Sequence, residues 1–219
     1  MIRVLLADDH PVVRSGYLRL LDQAGDIQVV AEAGDGKAAY AAWLEQRPDV
    51  VVSDISMPGG GLDLIRRIVQ RDAAARVLVF SMHDSPALVR QAVAAGAMGY
   101  VTKGSAPEAL IDAVRALHGG RRCFSADVAP HVANATNAAR GGGAALETEG
   151  LASLSVREFE TFRLLAQGIT VDECAQQLKL SPKTISNHQT LIKEKLGVAT
   201  PAALVHLALR HGIISTPAA

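Results

Sequence analysis

The run Val50-Val51-Val52-Ser53-Asp54 decides the fold. Its valines are consecutive, with no polar alternation. A strand of that kind is buried on both faces, as in a parallel sheet covered by helices on each side. Working outward, similar short runs occur at Arg3–Ala7, Gln28–Glu32, Val77–Phe80 and Gly99–Val101. Between them lie stretches with helical spacing: Pro11–Ala24, Gly36–Gln46, Leu62–Arg71, Pro86–Ala95 and Pro107–His118. Five strands alternating with five helices predict an α/β unit, a doubly wound five-stranded parallel sheet. In such sheets the chemistry sits at the carboxyl ends of the strands, near the point where strand order reverses.

From about Gly119 to Ala152 the pattern dissolves into an Ala/Asn/Thr-rich stretch and the glycines of Arg140-Gly141-Gly142-Gly143. This reads as a linker, although Ala126–Ala139 is compatible with a short helix. The remainder is all helix. Ser155 and Glu158 have capping-box spacing, opening a helix near Val156 that Gly168 closes. Thr170–Leu178, Ser181–Leu196 and Pro201–His211 follow as three more helices. Ser181-Pro182 is a cap followed by a first-turn proline, and the turn before it is short enough for a helix-turn-helix. The expected domains are therefore 1–120, a linker over 121–150, and a second, smaller all-α domain over 151–219.

The chain of 219 residues is 49% hydrophobic and 20% charged, enough apolar content for two ordinary cores. Its net charge of zero conceals a split. Residues 1–120 carry 12 Lys+Arg against 14 Asp+Glu, whereas residues 151–219 carry 7 against 5. An acidic front and a mildly basic back suit different partners. No apolar run reaches the length of a membrane span. Asp8 and Asp9 interrupt the start, where a secretory signal would still be apolar. The expectation is a cytoplasmic protein with no membrane partner. Cys123 and Cys174 lie far apart without metal-ligand spacing and read as structural thiols.

Asp8 and Asp9 end the first strand and Asp54 ends the third, so three carboxylates converge on one sheet edge. Such a cluster repels itself unless a cation sits within it, and hard oxygen donors favour Mg²⁺. Lys103 follows the fifth strand and Ser81 ends the fourth. A carboxylate nucleophile, a metal, a lysine and a hydroxyl together suit phosphoryl transfer. Taken singly, each acid reads as a helix cap and Lys103 as a surface charge. Their shared position at strand ends favours a site.

The segments Ala7–Gly16 (ADDHPVVRSG), Ser53–Gly61 (SDISMPGGG), the Ser81 position and Gly99–Gly104 (GYVTKG) resemble the flavodoxin-like receiver domain of response regulators, over residues 1 to about 118. That resemblance implies Asp54 as phospho-acceptor. It implies Asp8, Asp9, Asp54 and the main-chain carbonyl of Ser56 as metal ligands, Lys103 as the companion lysine, and Ser81 with Tyr100 as switch residues. Without it, Tyr100 reads equally as plain packing. Pro58 is similar to the proline that shapes the loop after the acceptor. The loop Gly59-Gly60-Gly61 is one residue shorter than the family pattern. Ser56 and His83 occupy the positions that tune dephosphorylation in the family.

In the all-α tail, Leu178, Leu180, Ile185 and Ile192 supply core contacts. The opposite face of the third helix holds Lys183, Thr184, Ser186, Asn187, Gln189, Thr190, Lys193 and Glu194. It is polar and rich in hydrogen-bonding groups, as a helix entering a major groove must be. Asn187 and Gln189 suit adenine edges, and Lys183, Lys193 and Lys195 suit phosphates. The same face also fits a solvated helix of a small bundle. The segments Leu154–Gly168 and Ala175–Val198 closely resemble the LuxR-type (NarL/FixJ-type) effector domain, over residues 153–214. The resemblance implies that Ser186, Asn187 and Thr190 face bases. Many relatives carry lysine at the first and last of these positions. It also implies a structural role for Glu158, and places Cys174 where relatives have an apolar core residue.

Together the resemblances imply a transcriptional regulator, not an enzyme. They imply a sensor histidine kinase as phosphodonor, double-stranded promoter DNA as target, and a homodimer as the active form. A regulator that uses the front domain only to dimerise, without phosphorylation, is the alternative. Aspartate-based phosphatases share the chemistry, but they place the nucleophile on the first strand with a second Asp two residues later, which adjacent Asp8-Asp9 does not match.

Overall fold

The computed structural model describes residues 1–58, 60–132, 150–151, 153–178, 180–211 and 213–214. The chain divides into two compact units, residues 1–140 and 141–219.

In the first unit, β1 (Ile2–Ala7), β2 (Ile27–Ala33), β3 (Val50–Ser53), β4 (Val77–Ser81) and β5 (Gly99–Thr102) alternate with α1 (Pro11–Gln23), α2 (Gly36–Gln46), α3 (Gly61–Arg71), α4 (Pro86–Ala94) and α5 (Pro107–His118). The sheet has a sixth strand, β6 (Cys123–Phe124), in the order β2-β1-β3-β4-β5-β6. All its pairings are parallel. The sequence predicts five strands and a linker over residues 123–124, so β6 is a correction to that expectation. Two residues are too short to show periodicity, and β6 exists because Ser125 N–H and Tyr100 carbonyl extend its pairing with β5 (2.9 Å).

The sheet is buried on both faces, as the valine run requires. Val4, Leu6, Val50, Val52, Leu78, Phe80 and Val101 pack against Leu21 of α1 and Leu110, Ala113, Val114 and Leu117 of α5. Leu5, Val51 and Val79, the alternate residues, point the other way and are equally buried. Strand order turns back at β1, so the carboxyl ends of β1 and β3 flank the switch point.

In the second unit, α6 (Val156–Ala166), α7 (Val171–Leu178), α8 (Pro182–Leu196) and α9 (Pro201–Arg210) form a helical bundle. Ser155 and Glu158 make the expected reciprocal capping box. Ser181 caps α8 through Thr184 N–H, and Gly197 ends it in the left-handed conformation (φ 64°). Cys174 is fully buried with Leu164, Ala175 and Ile185, and Leu178 and Leu180 pack against them. Of the anticipated Ala126–Ala139 helix, residues 126–128 form a turn and 129–132 are helical. The rest of the anticipated Ala126–Ala139 helix, from residue 133, and the glycines 141–143 fall outside the described residues.

Candidate functional site

The carboxyl ends of the strands bring the acidic residues together. One carboxylate oxygen from each of Asp8, Asp9 and Asp54, with a ring nitrogen of His10, fall within 4.8 Å of one another. Lys103 reaches in from beyond β5, its Nζ 2.6 Å from Asp8 Oδ2 and 2.7 Å from Asp54 Oδ2. All three of those side chains are at most 5% exposed. Burial works against the ammonium, but the charges and hydrogen bonds of Asp54 and Asp8 outweigh it and hold the Lys103 pKa above its usual value.

Backbone donors fix the remaining oxygens. Ser56 N–H donates to Asp54 Oδ1 (3.1 Å) and His10 N–H to Asp8 Oδ1 (2.8 Å). Arg14, one turn into α1, donates to the Asp8 carbonyl (2.6 Å). Asp9 differs from its neighbours: its Oδ1 is buried and has no hydrogen-bond partner. His10 Nδ1 lies 2.9 Å away, an electrostatic approach without hydrogen-bond alignment. An unsatisfied carboxylate oxygen beside two others is a donor set for a hard dication. The residues present therefore fit Mg²⁺.

Gly61 makes the acceptor loop possible. A Cβ there would stand 2.2 Å from the Asp54 carbonyl oxygen and 2.5 Å from Ile55 Cα. Gly60 precedes it as N-cap with φ 75°, a conformation that suits glycine. The start of α3 thus lies directly on the backbone that carries Asp54.

Ser81 and Tyr100 are fully buried. Ser81 Oγ accepts a long hydrogen bond from His83 N–H (3.4 Å), and the Tyr100 hydroxyl donates to the His83 carbonyl (2.6 Å). Burial raises the Tyr100 pKa, with a hydrogen bond to Ser81 working the other way. Both residues therefore meet the β4–α4 loop at His83. The His83 ring reaches back across the pocket, Nε2 lying 3.0 Å from Ser56 Oγ. The Ser56–His83 bond, His10 and Arg14 were not singled out from sequence as parts of the pocket. A histidine following two acids was a visible signal; the loop-to-loop bond had none.

In the second unit, α8 presents one polar face. Lys183, Ser186, Asn187, Thr190 and Glu194 are exposed along it, at the spacing of one helix side. Ser186 and Thr190 donate their hydroxyl protons to the Pro182 and Ser186 carbonyls, leaving oxygens that can accept. Thr184, Gln189 and Lys193 are only half-exposed. Thr184 is drawn into the cap with Ser181 (2.8 Å between hydroxyls). Gln189 sits toward a crevice with Leu165, Ile169, Pro201 and Leu204, because it flanks the buried Ile185–Ile192 stripe. Lys195 is not free for a phosphate. Its Nζ binds Glu158 Oε2 and Oε1 (2.6 and 2.9 Å) and the Ser153 carbonyl (3.2 Å). Glu158 is structural, as anticipated: burial opposes its charge, but Lys195 and Ser155 pull its pKa below the ordinary value. His188 packs beneath the same face, its Nδ1 3.1 Å from Thr161 Oγ1.

Comparisons with known proteins agree with this division. Residues 4–115 match the response regulator receiver domain, and residues 152–208 match the bacterial regulatory proteins of the luxR family. The chain is 41% identical to the transcriptional activator protein ExaE of Pseudomonas putida, over 96% of this chain and 97% of that protein. It is 37% identical to the response regulator UvrY of Escherichia coli K12, over 97% and 96%. Among solved structures it resembles RcsB from Salmonella enterica serovar Typhimurium bound to promoter P1flhDC in the presence of phosphomimetic BeF3-, with 30% identity, a TM-score of 0.60, and coverage of 95% of this chain and 98% of that one. A LuxR-family two-component response regulator from Aurantimonas sp. SI85-9A1 aligns at 46% identity and TM-score 0.60, over 63% of this chain and 99% of that one. The chain belongs to the NarL/FixJ-type response regulators of two-component systems, which join a receiver domain to a LuxR-type DNA-binding domain.

Proposed function

We propose that this regulator is switched by phosphorylation of Asp54 and in that state binds promoter DNA as a homodimer. The observation that carries the reading is the Lys103 bridge, 2.6 Å to Asp8 and 2.7 Å to Asp54 inside a buried pocket. It holds a cation against the nucleophile before any phosphoryl arrives. The receiver takes up residues 1–120 together with β6, which completes its sheet; the linker is the remainder up to residue 150, and the effector domain is 151–219. A sensor histidine kinase is the donor, and the setting is the cytoplasm; no helix among the described residues is long and apolar enough to cross a membrane.

A carboxylate oxygen of Asp54 attacks phosphorus as the donor's phosphorus–nitrogen bond breaks, leaving an acyl phosphate on Asp54. Asp8, Asp9, Asp54 and the main-chain carbonyl of Ser56 would hold Mg²⁺, which supplies charge neutralisation for the phosphoryl oxygens when bound. Lys103, already among the carboxylates, compensates the same developing charge. The new group adds roughly −1 to −2 charge and strong acceptor oxygens. Ser81 turns toward them, and its hydrogen bond with Tyr100 makes Tyr100 the residue that registers the movement. Driving a two-state receiver from mostly off to mostly on needs about 5.5 kcal/mol of differential stabilisation. Charge-assisted bonds from Lys103 and Ser81 contribute part of it, and a dimer interface the rest.

On the DNA side, Asn187 reads a base edge, Ser186 and Thr190 offer acceptors, and Lys183 and Lys193 meet phosphates. Thr184 and Gln189 border the contact surface. Two effector domains on adjacent half-sites multiply a weak single-site affinity through effective concentration. The RcsB complex with promoter DNA and a phosphomimetic supports this reading by analogy.

The test is labelling with acetyl phosphate in Mg²⁺, with the modified residue mapped by mass spectrometry. Label on Asp54, lost in Asp54→Asn and in chelator, is expected. Wild-type protein that takes no label favours the alternative, in which the receiver only dimerises.

A further inference from the structure

Immediately after α5, the chain returns to the edge of the sheet and fastens itself to β5. Gly99 and Tyr100 pair with Cys123 and Phe124. Ser125 N–H donates to the Tyr100 carbonyl (2.9 Å), and Thr102 N–H donates to Ser125 Oγ (3.3 Å). The Thr102 hydroxyl donates to Asp127 Oδ2 at 2.6 Å and lies 3.0 Å from Ser105 Oγ. Val128, the next residue, is fully buried. The join is close-fitting, since a Cβ on Gly99 would stand 2.7 Å from the Cys123 carbonyl oxygen.

The partners of this strap matter as much as its strength. Tyr100 and Thr102 flank Val101 on β5, and Lys103 follows directly. The strap therefore binds the backbone between the buried tyrosine that meets Ser81 and the lysine that bridges Asp8 and Asp54. Thr102 Oγ1 gives its one proton to Asp127, so the Ser105 hydroxyl is the donor in its 3.0 Å contact with Thr102, and Ser125 Oγ accepts from Thr102 N–H. Burial opposes the Asp127 charge, but hydrogen bonds from Ser125 and Thr102 hold its carboxyl below the usual range.

We infer that residues 121–128 are the transmission strap of this regulator: Asp127, through Thr102, positions the end of β5 and passes its displacement into the chain leading to the DNA-binding domain. The inference deepens the phosphorylation reading and rests on it. Motion of Tyr100 and Lys103 toward a phosphorylated Asp54 shifts β5 against a strap held by a two-residue strand and a few side-chain bonds. Segments with so few ladder bonds sit at the low end of local stability, so this is where a β5 shift yields. Asp127 and Thr102 are positioning residues; neither touches the acidic pocket's carboxylates.

The experiment uses full-length protein and fluorescent duplex containing a binding site selected from random sequence. DNA affinity is measured with and without beryllofluoride in Mg²⁺ at fixed salt. In Thr102→Val and Asp127→Ala, the beryllofluoride-induced gain in affinity is expected to fall by about fivefold or more. The double variant should lose no more than either single one. Thr102→Ser, which keeps the hydroxyl, should retain the gain, and acetyl-phosphate labelling of Asp54 should persist in every variant. Wild-type gain in both single variants overturns the strap while leaving the phosphorylation reading intact. Wild-type protein that neither labels nor responds removes both. Should the variants fold poorly, amide exchange in wild-type protein decides the matter. Exchange at residues 123–128 should change on beryllofluoride addition, and identical exchange would refute the strap.

Discussion

Lys195 and Glu158, 37 residues apart in the chain, lock the end of α8 to the start of the bundle, with Nζ 2.6 Å from Oε2. The same carboxylate closes the Ser155 capping box. One buried acid therefore fixes both the first helix and the angle of the third.

Glu158→Ala should destabilise the C-terminal unit by about 1–3 kcal/mol, the cost of a lost cap plus a charge-assisted hydrogen bond. The pH dependence has a definite sign. The folded pKa of Glu158 lies below its usual 4.5, so its contribution is complete above that value and disappears as pH falls through the depressed one. Urea melts followed by circular dichroism at pH 7 and at pH 3 should show the variant's deficit at the first and its reduction at the second.

Lys103→Met should destabilise the receiver, because it leaves Asp8 and Asp54 buried without their cation. Removing one partner of a buried ion pair costs about 3–5 kcal/mol, and Mg²⁺ should restore part of the loss. Thermal melts in chelator and in millimolar Mg²⁺ check this: the variant should gain more from Mg²⁺ than wild type does. The Lys103 pKa is raised above 10.5, so its stabilisation is complete below that value and is lost only as pH rises through the raised one.

Gly61→Ala should disrupt the acceptor loop, since its Cβ would overlap the Asp54 carbonyl and Ile55 backbone. A loss of about 2 kcal/mol or more is expected where backbone must move, together with slower labelling of Asp54. Gly104→Ala, which meets nothing within 4 Å, is the matched control and should behave as wild type in both assays.

On the DNA face, Lys183→Ala should weaken binding evenly across sequences and reduce the salt slope by about one phosphate contact. Asn187→Ala should relax preference at one base position, at about 1–3 kcal/mol. Gln189→Ala should do little, since that side chain borders a crevice of the bundle. Fluorescence anisotropy against matched and mismatched duplexes separates the three.

The pocket was legible because strand ends are legible. Asp8, Asp9, Asp54, Ser81 and Lys103 each follow an apolar run, and parallel strands place such residues on one edge. Less legible was whatever depends on pairing across the chain. Lys195 reads as an ordinary basic residue of a DNA helix until Glu158 is seen beside it. Gln189 reads as exposed until the helix is rotated by the Ile185–Ile192 stripe. Cys123-Phe124 carries no strand period, and its place in the sheet follows from backbone hydrogen bonds of Cys123 to Met98 and of Ser125 to Tyr100. Nothing in the sequence shows why Gly61 must be glycine; the close approach of α3 to the Asp54 backbone does.

The proposed signal starts at residue 54 and finishes on a duplex. Its most direct measurement is the dissociation constant for promoter DNA, at one salt concentration, of wild type and Asp54→Ala with and without beryllofluoride. Tighter binding by wild type alone, accompanied by a monomer-to-dimer change in light scattering, is the expected result. Equal affinities in all four conditions would contradict it.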